Sequence, residues 1–146
     1  MLAPERIDRA VEELRPEMLS LLQTLVRIPT LPGNEKAVQD VILDQMETMG
    51  LEVDAWDPVE PELQAHPAYV PSDLPYNGRP NVVAIWRGSG GGKKLIFNGH
   101  VDVVPTGEEE KWSHSPWSGD YEDGKVYGRG SADNHQELQP QVHSRG

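Results

Sequence analysis

Apolar side chains along the first part of the chain recur at alternating steps of four and three: Ile7, Val11, Leu14, Met18, Leu21, Leu25 and Ile28. That spacing stacks them on one face of a helix. Pro16 falls inside the pattern and predicts a kink or break, with Pro16 in the first turn of a second piece. Pro29, Pro32 and Gly33 then make a loop. A second helix is expected with Asn34 as N-cap and Glu35 at its positive end. Its apolar face is Val38, Val41, Ile42, Met46 and Met49, and Gly50 is placed to stop it.

Beyond Gly50 the period drops to two. Leu51, Val53 and Ala55 alternate with Glu52, Asp54 and Trp56, the mark of a half-buried strand. Residues 57–80 are proline-rich without apolar period and predict a long surface excursion. Val82, Val83, Ala84 and Ile85 predict a strand, and Leu95, Ile96 and Phe97 begin another. The glycine run at residues 88–92 between them reads as a hairpin turn. It fails as a phosphate loop, because Lys93 is followed by Lys94 and a strand instead of a hydroxyl residue and a helix. Helix, helix, strand and strand pair imply an α/β sandwich with a mixed sheet.

Composition narrows the chemistry. With 24 acidic and 13 basic residues the 146-residue chain carries a formal charge of −11, which disfavours nucleic acid or an anionic membrane as partner. It has no cysteine, so a disulfide framework, a thiolate zinc site and a cysteine nucleophile are excluded, and any metal must be held by His and carboxylate. No apolar stretch is long enough for a membrane span and the charged start is unlike a signal peptide, which together predict a cytoplasmic protein.

Candidate chemistry concentrates between residues 95 and 133. The apolar run 95–97 leads into Asn98-Gly99-His100-Val101-Asp102-Val103-Val104-Pro105. On extended backbone His100 and Asp102 point to the same face. The pair suits a metal-bound imidazole oriented by a carboxylate, but taken alone it reads more readily as a core histidine paired with an acid. Farther on, Asp123-Gly124 predicts a tight hairpin within residues 119–127. The hairpin delivers Gly128-Arg129-Gly130-Ser131-Ala132-Asp133, a small-residue loop presenting one carboxylate. Taken alone, Asp133 reads as a solvated loop acid or a helix cap. His66 and His114 read as surface residues.

Together these stretches resemble the zinc metallopeptidase and deacylase family of acetylornithine deacetylase, succinyl-diaminopimelate desuccinylase, aminoacylase and glutamate carboxypeptidase. The resemblance rests on Gly-His-Val-Asp-Val-Val-Pro at 99–105, Trp112, Ser-Pro-Trp-Ser-Gly at 115–119 and Gly-Arg-Gly-Ser-Ala-Asp at 128–133, with support from Leu25-Val26-Arg27-Ile28-Pro29, Glu35 and Gly50-Leu51-Glu52-Val53. It implies the N-terminal part of a three-layer α/β/α catalytic domain with a mixed sheet. It also implies His100 as ligand to one zinc, Asp133 as a carboxylate bridging two zinc ions (cobalt or manganese as substitutes), and Asp102 as the residue orienting His100. The peptide bond from Asp133 to Asn134 would be cis. The implied substrates are small N-acyl amino acids or short peptides, and the residues 60–80 excursion inclines toward the acetylornithine deacetylase type.

After Asn134 the resemblance stops. The family continues with Lys-Gly-Gly and an apolar helix, whereas here His135, Gln136, Glu137 and a polar stretch follow. The expectation is a truncated catalytic domain at 1–134 and a disordered, non-family tail at 135–146. The general-base glutamate, further ligands and the inserted dimerisation domain, through which relatives form homodimers, have no counterpart here. Glu137, His135 and His143 match none of those positions. Two readings follow: an inactive piece of a zinc amidohydrolase, or a non-catalytic product that acts as a binding or self-association module.

Overall fold

The computed structural model describes residues 3–133. The helix α1 (Pro4–Val26) starts with proline in its first turn and carries Glu5 there, where a missing N–H and a negative charge both suit the helix end. Contrary to the expected break, α1 runs through Pro16 as one helix. Position 16 is exposed, so water can satisfy the carbonyl of Glu12 that Pro16 leaves without a donor. The helix α2 (Lys36–Thr48) is capped by Glu35, not Asn34. Its end follows the sequence closely. Gly50, at φ +73°, donates to Glu47 O and Leu51 donates to Met46 O, the paired bonds of a Schellman stop.

The strands β1 (Glu52–Trp56) and β2 (Asn81–Ile85) pair antiparallel, Glu52 opposite Ile85 and Trp56 opposite Asn81. The 57–80 excursion joins them and contains a short helix, α3 (Glu60–Gln64), that the apolar pattern did not announce. Its two ends are tied where the Gly78 amide donates to Asp57 Oδ2 at 2.7 Å. The strands β3 (Asp120–Glu122) and β4 (Lys125–Tyr127) form the expected hairpin. Asp123 (φ +50°) and Gly124 (φ +78°) supply the two left-handed residues its turn requires.

The expected strand over residues 95–105 does not form, nor does a hairpin at the glycine run. Leu95, Ile96 and Phe97 are 54–70% exposed and no ladder forms on them among the described residues. Apolar β-formers make a strand only where a neighbour completes their backbone bonds. The two sheets of the described residues are each two-stranded and antiparallel, so the architecture is α/β without the mixed sheet expected.

The chain divides into two compact units. One combines Met1–Pro29 with Thr106–Ser131. Its packing centres on Val26 and the fully buried Pro116. Gln23 Nε2 donates to Gly119 O at 2.6 Å, and Arg27 Nε to Ser118 O at 3.0 Å, fastening the end of α1 to the loop before the hairpin. Gly119 and Gly128 are required by this packing. A Cβ on Gly119 would lie 2.8 Å from Gln23 O, and one on Gly128 would overlap Val26 Cγ1. The other unit combines Thr30–Pro105 with residues 132–133 among those described, and α2 lies against β1 and β2 in it. Val38 and Val103 are its buried apolar side chains, beside buried Thr30 and Glu35. No helix among the described residues is long and apolar enough to cross a membrane.

Candidate functional site

Residues 98–103 are irregular, yet they bring His100 and Asp102 together. The ring Nδ1 of His100 lies 3.0 Å from Asp102 O and 3.3 Å from Asp102 Oδ1. Both neighbours are acceptors, which suits a proton on Nδ1. Both side chains remain almost half exposed.

One residue on, the chain is anchored. The Val103 amide donates to Thr30 O at 2.9 Å, with both residues buried. Thr30 opens the loop that ends at Glu35, whose side chain is turned away from the helix it caps. Glu35 accepts the Gly33 amide at 3.0 Å and the fork of Arg79 at 2.7 and 2.8 Å. Burial works against ionisation of Glu35, but the hydrogen bonds from Arg79 and Gly33 outweigh it and hold the carboxyl below its usual range. Arg79 is held above its ordinary value chiefly by its bond to Glu35, with Asp102 among the negative charges that act on it. Glu35 and Arg79 lie 44 residues apart and no spacing rule joins them, so the sequence carried no signal for this pair.

Asp133 is an exposed loop residue at the end of the Gly128–Asp133 stretch. Among the described residues no group of three or more His, Asp or Glu side chains gathers to hold a metal ion. The donor chemistry thus fits one imidazole ligand with its orienting acid, and it does not make a complete dinuclear site. The Asp133–Asn134 bond, Glu137, His135 and His143 lie outside the described residues.

The other motif residues serve as scaffold. Arg129 donates its amide to Pro116 O at 2.7 Å and lays its guanidinium over the Trp112 ring, 4.9 Å from the centroid. Trp112 Nε1 donates to Thr106 O at 2.9 Å. His114, expected on the surface, is part-buried. Its ring stacks on Tyr127 with centroids 3.9 Å apart, and its Nδ1 lies 3.1 Å from Asp120 Oδ2. Hydrogen bonds from His114 and Ser118 hold Asp120 below the ordinary aspartate value. The available signal was an acid six residues on, at the start of a predicted hairpin strand. His66 is exposed, as expected.

Comparison with known proteins agrees with this arrangement of motifs. Residues 96–138 match the model of Peptidase family M20/M25/M40. A succinyl-diaminopimelate desuccinylase of Ralstonia nicotianae is 34% identical over 117 residues, covering 79% of this chain and 27% of the relative. Those of Hahella chejuensis (32% over 116 residues, 79% and 25%) and Hydrogenovibrio crunogenus (34% over 119 residues, 80% and 26%) are similar to it over the same share. The chain spans about a quarter of the length of these curated relatives.

Proposed function

The chain belongs to Peptidase family M20/M25/M40, and from that premise we propose that it supplies the front of a zinc-dependent amidohydrolase domain acting on N-acyl amino acids or short peptides. Residues 1–134 carry this part of the domain, and the family match runs on to residue 138. The names of the relatives favour an N-succinyl amino acid over the N-acetyl substrate toward which the excursion inclines.

The observation that carries the reading is the His100–Asp102 contact. His100 would hold zinc through Nε2, with Asp102 keeping the proton on Nδ1 and the ring in place. Asp133 would add a carboxylate ligand. Zinc, when bound, supplies positive charge to an amide carbonyl and lowers the pKa of a coordinated water toward neutrality. On this reading the ligands among the described residues are too few to close a site, and the 146-residue chain should bind zinc weakly and turn over no amide.

Zinc titration of the purified chain, followed by the ring resonances of His100, tests this directly. The expected result is a zinc-dependent shift at His100 that saturates only in the micromolar range or above. Metal-dependent hydrolysis of N-succinyl or N-acetyl amino acids by the chain would overturn the assignment of inactivity. A His100 ring indifferent to zinc would overturn its role as ligand.

A further inference from the structure

The N-terminal half of α1 presents an apolar face that no other described residue covers. Ile7, Val11, Leu14 and Met18 are 46–59% exposed. They are spaced four, three and four apart, and the pattern continues through Leu21 and Leu25 at three and four. Over residues 7–18 the apolar positions keep to a and d of a heptad repeat, the spacing of a coiled-coil seam, and the face broadens only beyond, where Leu19 and Leu22 join it. With Val11 and Met18 at the a positions and Ile7 and Leu14 at d, Pro16 falls at f, the outermost position. The residue least suited to a helix therefore stays clear of the seam.

We propose that this face of α1 binds the same face of a second copy of the chain, antiparallel about a two-fold axis. The flanking charges choose the occupant and its direction. Asp8 and Arg15, both exposed, occupy the e positions, while Ala10 and Glu17 occupy g. An antiparallel pair sets e against e and g against g. Asp8 then meets Arg15 of the second copy, twice by symmetry, and Ala10 meets Glu17 without repulsion. The apolar layers close in the same register, Ile7 on Met18 and Val11 on Leu14. A parallel pair would set Ala10 against Arg15 and Glu17 against Leu22, so no opposite charges would meet. A copy of the chain arranged antiparallel is the partner whose charges this helix already matches. Arg15 bonds Glu12 within its own helix across exposed surface, and such a pair is weak enough to be shared.

Sedimentation equilibrium on the 146-residue chain, from about 5 to 500 µM, tests the proposal over the range expected of a small interface. The chain should dimerise, and L14E should raise the dissociation constant at least about tenfold with helix content unchanged. D8R and R15D should each weaken the dimer about threefold, and D8R/R15D together should restore it. Because the chain lacks cysteine, orientation can be read by disulfide trapping: I7C/M18C should link covalently, and I7C alone should not. A monomer throughout the range, or a dimer indifferent to both L14E and the charge exchange, would overturn the proposal. The second outcome would point to another surface, such as exposed residues 95–97. Trapping of I7C alone would overturn the antiparallel direction. If L14E fails to fold, the charge exchange decides.

Discussion

Arg79 grips the carboxylate of Glu35 with two parallel hydrogen bonds, Nη2 to Oε1 at 2.7 Å and Nε to Oε2 at 2.8 Å. The contact joins the cap of α2 to the residue two before β2, and Glu35 is only 7% exposed there. Removing one partner strands a charge. We expect R79A or E35A to destabilise the chain by about 2–4 kcal/mol, below the range for fully buried pairs because Arg79 keeps some contact with water. Urea denaturation at neutral pH measures this.

The same pair sets an acid dependence. Folding lowers the pKa of Glu35, so the folded state binds this proton less readily than the unfolded one. The stabilisation is complete above the ordinary glutamate value of about 4.3 and is lost as pH falls through the lower folded value. E35Q should flatten that part of the stability profile. A profile unchanged by E35Q would contradict the assignment.

Asp120 should titrate below the ordinary aspartate value, since its first partner is the His114 ring and its second the Ser118 hydroxyl. In H114Q its midpoint should move up toward the ordinary value. Carboxyl-detected NMR across the acid range reads both results.

Gly128 admits no side chain. Its φ of +146° is strained for an L-residue, and an added Cβ would meet Val26 Cγ1 and, at 3.0 Å, Pro116 O. G128A should destabilise by about 2–4 kcal/mol. The matching change G88A, where open space and an ordinary φ await the methyl, should stay within about 0.5 kcal/mol. Thermal unfolding of the two variants makes the comparison.

If His100 holds zinc as proposed, D102N should weaken zinc binding about 10- to 100-fold, by releasing the ring nitrogen it fixes. H100A should remove the zinc response altogether. Competition against a chromophoric chelator distinguishes the two.

Local order was legible in the sequence and long-range order was not. The helical period of α1 (though not the break expected at Pro16), the Gly50 stop of α2 and the Asp123-Gly124 turn each involve residues within one or two helical turns, and each stands where its pattern placed it. The approach of His100 to Asp102 was equally local. Residues 95–97 have the composition of a strand, but a strand needs a neighbour to complete its backbone bonds, and composition names none. Asn34 lost the cap of α2 to Glu35, whose position is fixed by Arg79 from 44 residues away. The burial of His114 likewise depends on Tyr127, across the hairpin.

The unit built from Met1–Pro29 and Thr106–Ser131 has a consequence for synthesis on the ribosome. At roughly 5–20 residues per second, α1 leaves the exit tunnel several seconds before the loop that receives Gln23, Arg27 and Val26 has been translated. Throughout that interval Leu21, Leu25 and Val26 are as bare as Ile7 and Leu14. The nascent helix is then a longer sticky surface than the finished one, and neighbouring nascent chains on one polysome are the copies nearest to it.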